Sequence, residues 1–203
     1  MPAQVIVVAG PSGAGKSVLC RRLCAERGLT WVILDDFYKD GDDPTLPVAH
    51  LRGGAPIVDW DDPRSWHRDL AVQALVELCR EGVVAVPVYD IASDGRVGER
   101  TVRLGAAAYV LAEGIFADHV VGPCRDQGLL AAAVCVRNPP LLTFWRRLTR
   151  DLRESRKPPW VLLRRGFSLL RADPVVVARA EAAGCTVMTS REAYVRLLDL
   201  TGD

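Results

Sequence analysis

Lysine is scarce in this chain of 203 residues, which contains only Lys16, Lys39 and Lys157. Arginine supplies the other basic side chains, and acidic residues nearly cancel them, so the formal net charge is +1. A chain without a strong positive charge lacks the electrostatic signature of proteins that bind nucleic acid or anionic membranes. We therefore expect neither partner, and each of the few lysines becomes more informative.

The sequence also lacks the patterns that mark zinc sites, export and membrane spans. Its six cysteines form no C-x-x-C pair, although Cys20 and Cys24 are spaced so that a helix could bring them together. Buried, reduced thiols are the simpler interpretation. The first ten residues have no basic region followed by a long apolar one, and no apolar run approaches about 20 residues. We expect a cytoplasmic protein without a signal peptide.

Short apolar runs alternate with longer helical patterns along the chain. The predicted strands are Gln4–Ala9, Thr30–Leu34, Val83–Val88, Tyr109–Ala112, Ala131–Val136 and Cys185–Met188. The predicted helices are Gly15–Arg27, Arg64–Glu81, Leu141–Arg153, Val161–Ala183 with a break at Pro174, and a terminal helix capped by Ser190. Continuous apolar strands separated by helices indicate one α/β domain, a three-layer sandwich with a mostly parallel sheet covered on both faces.

Two segments interrupt this alternation. The first, Asp36 to Pro63, is too long for an ordinary connection, and we expect it to be functional or mobile. The second, Glu154 to Trp160, is basic and contains Pro158 and Pro159.

A complete phosphate-binding motif follows the first predicted strand. The run GPSGAGKS matches G-x-x-x-x-G-K-[ST], so we assign ATP binding to Gly10, Pro11, Ser12, Gly13, Ala14, Gly15, Lys16, Ser17 and Val18. The glycines let backbone amides approach phosphate oxygens, and the following helix adds the partial positive charge of its N-terminus. Lys16 can reach the β- and γ-phosphates, and the Ser17 hydroxyl can bind Mg²⁺. The alternative is a glycine-rich turn that binds nothing.

Two acidic residues follow other predicted strands. Asp35 comes directly after Thr30–Leu34, and ligands of such sheets gather at the carboxyl ends of strands. At a strand end next to that of the phosphate loop, Asp35 would face the γ-phosphate and accept the proton of an attacking hydroxyl. Glu113 follows Tyr109–Ala112 and would support Mg²⁺ through water. The alternatives are a turn cap for Asp35 and a helix N-terminal acid for Glu113.

Six motifs in order resemble those of a known family. They are GPSGAGKS, DDFY (Asp35–Tyr38), WDDP (Trp60–Pro63), PVYD (Pro87–Asp90), EGIF (Glu113–Phe116) and RRLTRD (Arg146–Asp151). This order is similar to that of uridine-cytidine kinases, within the uridine kinase and phosphoribulokinase group. The resemblance extends to about Lys157. It implies the P-loop NTPase form of the α/β sandwich and ATP-dependent phosphorylation of a nucleoside at its ribose 5′-hydroxyl.

The resemblance also implies roles for individual residues. It assigns the acceptor site to Asp35, Tyr38, Trp60, Asp61, Tyr89 and Arg147. Within that set Asp35 would be the general base, Asp61 would hold the ribose hydroxyls and Tyr89 would touch the base. Asp36 to Pro63 would be the substrate-binding insertion, and Glu154 to Trp160 a small lid over ATP. Arg150 and Arg156, the latter in the lid, would neutralise charge on ATP, and Lys16 would take part in catalysis.

Departures from the family pattern leave the acceptor open. Asp94 or its neighbours stand where these kinases carry a base-reading histidine, and Arg156 is shifted by one position in the lid. The DDFYK run and the prolines of the lid also resemble nicotinamide riboside kinases. Three functions therefore stay open: a uridine- or cytidine-like nucleoside kinase, a kinase for nicotinamide riboside or another small hydroxylated molecule, and a non-catalytic ATP-binding regulatory protein. A homo-oligomer is equally open.

Overall fold

The structure is a computed structural model that describes residues 2–49, 56–105, 108–139, 143 and 173–202. Its strands are β1 (Gln4–Ala9), β2 (Thr30–Ile33), β3 (Val48–Ala49), β4 (Ile57–Val58), β5 (Val83–Asp90), β6 (Gly95–Arg103), β7 (Tyr109–Glu113), β8 (Leu130–Val136) and β9 (Thr186–Met188). Its helices are α1 (Lys16–Arg27), α2 (Arg68–Glu81), α3 (Val121–Asp126), α4 (residues 173–182) and α5 (Ser190–Leu200). Short 3₁₀ turns cover Leu34–Phe37, Pro63–Ser65 and Ala117–Val120.

Five parallel strands form the central sheet, in the order β2-β7-β1-β8-β9. Consecutive residues of β1 point to opposite faces, and both faces are buried. Val5 and Val7 pack in the core beneath α2, α3 and α4, whereas Ile6 and Val8 pack beneath α1 and α5. The predicted three-layer sandwich with helices on both faces is therefore confirmed.

The carboxyl ends of β1, β7 and β2 lie at one edge of this sheet. Glu113 is level with Val8 of β1 on one side and with Ile33 of β2 on the other. The GPSGAGKS loop leaves β1 at this edge, and the 3₁₀ turn that contains Asp35 leaves β2. The topology thus gathers the loop and both carboxylates at one edge.

One predicted strand lies outside the central sheet. β5 pairs only with β6 among the described strands, as an antiparallel hairpin, so the expectation that Val83–Val88 joins the parallel sheet is wrong. Val84 and Val86 still face the core, against α2 and the Leu34–Phe37 turn. β6 was not predicted because most of its side chains are exposed, and a strand with a solvated face carries no continuous apolar run.

The start of the predicted Arg64–Glu81 helix is also wrong. The helix begins at Arg68, after a 3₁₀ turn and an extended Trp66. Trp66 is buried, pairs with Tyr38 across an isolated bridge, and donates its indole N–H to the carbonyl oxygen of Leu34 at 2.7 Å. Burying this ring requires extended backbone, which overrides the helical pattern.

Near the carboxyl end of the chain, the terminal helix is capped by Thr189 rather than by Ser190. The Thr189 hydroxyl accepts from the Glu192 amide, and the Glu192 carboxylate accepts from the Thr189 amide, which is a capping box. Residues 173–182, at the end of the predicted Val161–Ala183, are helical. The predicted Leu141–Arg153 helix and the lid lie outside the described residues, apart from Thr143. Within the described residues, no helix has both the length and the apolar character of a membrane span.

Candidate functional site

The loop between β1 and α1 adopts a conformation that requires glycine at several positions. Gly10, Gly13 and Gly15 have φ angles of 134°, 78° and 93°. A Cβ atom at Gly10 would lie 2.4 Å from the carbonyl oxygen of Val136, so β8 leaves no space for a side chain there. Gly15 stands at the N-cap of α1, and no side chain of the described residues caps that end. The helix amides therefore face the loop without an internal acceptor, which suits a phosphate group.

Lys16 and Ser17, the first residues of α1, both contact the carboxylate of Glu113. The Lys16 Nζ atom lies 3.6 Å from Glu113 Oε1 and donates to the carbonyl oxygen of Pro11 at 3.2 Å. The Ser17 hydroxyl donates to Glu113 Oε2 at 3.2 Å. Lys16 and Glu113 are only 6% and 4% exposed, so the pair is shielded from water.

Burial raises the pKa of Glu113 above its ordinary value of 4.5. Lys16 opposes this shift, and the negative charge of Asp35 adds to it. The ionised carboxylate is therefore costly here, and a cation bound beside it would relieve that cost. A hydroxyl and a carboxylate are oxygen ligands of the type that Mg²⁺ prefers. Mg²⁺ takes few protein ligands and keeps several waters, so one hydroxyl and one carboxylate suffice to hold it.

Asp35 lies in the Leu34–Phe37 turn, with its carboxylate against the residues that follow Glu113. Its Oδ1 atom accepts a hydrogen bond from the Ile115 amide at 3.0 Å. The expectation that it ends a strand next to β1 is wrong, because β7 lies between β1 and β2. It is instead the neighbour of Glu113, whose pKa it raises. The proton acceptor predicted from the sequence thus lies beside the predicted metal ligand.

Three aromatic residues predicted to contact the acceptor lie together. The ring centroid of Tyr38 is 5.9 Å from that of Trp60 and 5.7 Å from that of Tyr89, and the last two are 6.4 Å apart. The Tyr38 hydroxyl donates to the Trp60 carbonyl oxygen at 3.2 Å. Asp61 follows Trp60 in an exposed turn, where its amide donates to Asp59 Oδ1 at 3.1 Å. The three rings, which we name the aromatic cluster, join the insertion to the β5–β6 hairpin.

The hairpin end of the aromatic cluster is acidic. The pKa of Tyr89 is raised to about 12, first by burial and then by the charges of Asp94, Asp40 and Asp90. Asp94 lies in the hairpin turn with a φ of 46°, a left-handed conformation that aspartate tolerates. Its carbonyl oxygen accepts from the Gly41 amide at 2.7 Å. The turn around Asp94, which stands where uridine-cytidine kinases carry a base-reading histidine, therefore lies close to Tyr89.

Sequence reasoning overlooked Asn138 and did not find the partners of Asp36, two residues that hold the site. Asn138, just after β8, donates its side-chain amide to the carbonyl oxygen of Ala14 at 2.6 Å and so supports the phosphate loop. Asn138 is a polar residue directly after a buried strand, at the edge of the sheet where the phosphate loop lies. That position was the signal that could have revealed its role. Asp36 accepts from the Tyr89 amide at 3.4 Å and from Arg100 at 3.2 Å. The predicted roles of Arg147, Arg150 and Arg156 fall outside the described residues.

A phosphate loop after the middle strand of a parallel sheet, with a lysine, a serine and a carboxylate at one edge, defines a P-loop nucleotide-binding protein. The chain belongs to the phosphoribulokinase / uridine kinase family, whose model matches residues 5–156. The family predicted from the sequence is confirmed.

Individual proteins resemble the chain to different extents. The chain is 32% identical over 160 residues to the uridine kinase of Histophilus somni (strain 2336), covering 74% of this chain and 69% of that protein. It is 32% identical over 157 residues to inorganic pyrophosphatase TTM2 of Arabidopsis thaliana, covering 76% of this chain but only 21% of the plant protein. A crystal structure from Silicibacter sp. TM1040, of a protein named as a fructose transport system kinase, matches with a TM-score of 0.59 and 20% identity. That match covers 93% of this chain and 88% of the other, and it shows the shared fold.

Proposed function

We propose that this chain transfers the γ-phosphoryl group of ATP to the ribose 5′-hydroxyl of a nucleoside that resembles uridine or cytidine. The observation that carries the proposal is the convergence at one sheet edge of the phosphate loop, the Lys16–Glu113–Ser17 contacts and Asp35. A loop that only binds nucleotide has no use for a second carboxylate beside the first.

On the donor side, the loop amides and Lys16 bind the phosphates of ATP. Lys16 leaves the Pro11 carbonyl and Glu113, which it contacts in this structure, and turns to the β- and γ-phosphates. Ser17 and Glu113 would hold Mg²⁺, which would supply positive charge against the phosphate oxygens. Arg150 and Arg156 remain proposed as further donors to the phosphates.

On the acceptor side, Asp35 orients the hydroxyl group and takes its proton. The hydroxyl oxygen attacks the γ-phosphorus, the bond from that phosphorus to the bridging oxygen breaks, and ADP leaves. The aromatic cluster of Tyr38, Trp60 and Tyr89 offers ring faces and edges to the acceptor's base. Asp61, next to Trp60, accepts hydrogen bonds from the ribose hydroxyls, and Arg147 is proposed to contact the same substrate.

The test is ADP release with ATP, Mg²⁺ and a panel of acceptors that includes uridine, cytidine and nicotinamide riboside. We expect one nucleoside to stimulate release and Asp35→Asn to lower turnover by about a hundredfold or more, with ATP binding retained. Asp42→Asn is the matched control, because it removes an exposed carboxylate from the same segment. If no acceptor stimulates release, the non-catalytic ATP-binding alternative replaces the proposal.

Nicotinamide riboside is the second candidate acceptor, favoured by the acidic surroundings of Tyr89. Asp40, Asp90 and Asp94 place negative charge beside an aromatic ring, and this combination attracts the positively charged ring of that nucleoside. Asp94→Asn tests this candidate without disturbing the turn, since asparagine also tolerates a positive φ. We expect KM to rise up to about fivefold for a cationic acceptor and to stay unchanged for uridine.

A further inference from the structure

Arg179, on α4, makes a set of contacts that neither the phosphate loop nor the aromatic cluster accounts for. Its guanidinium donates to both carboxylate oxygens of Asp118, at 2.6 Å and 3.1 Å. A third hydrogen bond, at 3.0 Å, runs from its Nη2 atom to the carbonyl oxygen of Ile115. The same group lies 5.3 Å from the ring centroid of Phe116. One side chain therefore contacts three residues of the segment that follows β7, namely Ile115, Phe116 and Asp118.

Ile115 joins these contacts to the proposed general base. Its carbonyl oxygen is held by Arg179, and its amide donates to Asp35 Oδ1 at 3.0 Å. The two bonds lie on either side of one Cα atom, so the position of this backbone sets the position of the hydrogen bond to Asp35. Asp118 anchors the arrangement, because its carboxylate is only 2% exposed and needs the bidentate partner that Arg179 supplies.

We infer that Arg179 is a positioning residue for phosphoryl transfer: it fixes the Ile115 backbone, which in turn holds the carboxylate of Asp35 toward the acceptor. This inference rests on the proposed function of Asp35. Arg179 touches neither substrate in this scheme. Its contribution is to keep the proton acceptor at a fixed place, and reaction rates are sensitive to displacements of about 1 Å.

Three variants separate positioning from simple charge pairing. Arg179→Met removes all three hydrogen bonds but leaves the Asp118 carboxylate buried without its partner, which can unfold the protein. The double variant Arg179→Met with Asp118→Leu removes both charges and restores an apolar contact. Arg179→Lys keeps the charge but cannot reproduce the fork. Arg125→Met is the matched control, because it removes an arginine whose hydrogen bond goes to the Ala183 carbonyl just beyond α4 rather than to Ile115.

Two readouts are needed, one of which does not depend on turnover. The first is kcat against KM for the acceptor, together with ATP affinity from titration. The second is hydrogen exchange of the Ile115 amide in the ligand-free protein. In the double variant we expect kcat to fall about ten- to a hundredfold with ATP affinity unchanged, and the Ile115 amide to exchange faster. Arg179→Lys should recover part of kcat, and Arg125→Met should match the wild type.

The outcomes distinguish this inference from the proposed function. A folded double variant with wild-type kcat and Ile115 exchange would show that Arg179 only neutralises Asp118, and the inference would be overturned. Unchanged Ile115 exchange overturns it even where turnover falls. If the wild type phosphorylates no acceptor but the Ile115 amide exchanges faster in the double variant, the role of Asp35 is refuted. The mechanical link between Arg179 and Ile115 would then still stand.

Discussion

Gly114 separates Glu113 from Ile115, and its substitution by alanine tests whether the exact placement of Asp35 matters. A Cβ atom added there would lie 2.7 Å from Asp35 Oδ1 and 3.0 Å from the Cβ of Leu34. The backbone of Gly114 lies outside the left-handed region, so alanine can adopt its conformation. The new methyl group therefore acts on the Asp35 carboxylate and its turn rather than on the local backbone.

The size of the effect follows from these distances. Ordinary van der Waals contact begins at 3.4 Å, so the carboxylate oxygen must retreat by roughly 0.7 Å or the turn must shift with it. Overpacking of this kind costs about 1–3 kcal/mol, which lowers Tm by roughly 2–4 °C per kcal/mol in a chain of this length. The same displacement of a general base lowers the rate by up to about a hundredfold. Gly114→Ala should thus be folded but slow.

The assay is ADP release with the acceptor identified in the panel, combined with ATP titration and thermal melting. Gly122→Ala is the matched control, because a Cβ atom on this helical glycine of α3 meets nothing within 4 Å. The control should retain Tm and kcat, whereas Gly114→Ala should lose kcat and keep its ATP affinity. A folded Gly114→Ala protein with wild-type kcat would refute the reasoning, since it would show that turnover tolerates a displaced Asp35.

Three more substitutions test the donor side of the site. Because burial raises the pKa of Glu113, its ionised form grows as pH rises through that pKa, so Mg–ATP affinity from calorimetry should increase with pH and increase less in Glu113→Gln. In the ligand-free protein, the raised pKa of Glu113 stabilises the folded state below pH 4.5, and this stabilisation is lost as pH rises through that pKa. The Tm of Glu113→Gln should therefore vary less with pH than that of the wild type. Asn138→Ala removes the hydrogen bond to Ala14 and should raise the Kd for ATP about fivefold, the equivalent of about 1 kcal/mol. Gly10→Ala should lower the free energy of unfolding, measured in urea, by at least about 1–3 kcal/mol, which is the cost of a strained φ alone. The clash of the new Cβ atom with the Val136 carbonyl oxygen adds to this cost.

The phosphate loop and the strands around it could be predicted because their signals are local. The glycines, Lys16 and Ser17 occupy adjacent positions, and the apolar runs of β1, β7 and β8 are bounded by turn residues. What local signals do not contain is the order of strands within the sheet. The prediction therefore placed Asp35 next to the loop strand, whereas β7 separates them and brings Asp35 to Glu113.

Other features were missed because they depend on partners far along the chain. Trp66 leaves the helical pattern to bond the carbonyl of Leu34, and Arg179 reaches residues more than 60 positions earlier. Their residue types alone indicate a packed ring and a solvated arginine. Most side chains of β6 are likewise exposed, so its sequence has no continuous apolar run, and its pairing with β5 is evident only from the structure. Such contacts have no local pattern, so no periodicity could have predicted them.

The pairing of β1 has a consequence for how the protein forms. Its neighbours, β7 and β8, begin more than 100 residues further along the chain. At roughly 5–20 residues per second, the ribosome exposes β1 for about 5–20 s before either partner exists. Throughout that interval the apolar run Val5–Ala9 has two open edges, the arrangement that favours aggregation. The strand that carries the nucleotide loop is thus made well before both of its sheet neighbours, and we expect protection of this strand during synthesis to raise the yield of active protein.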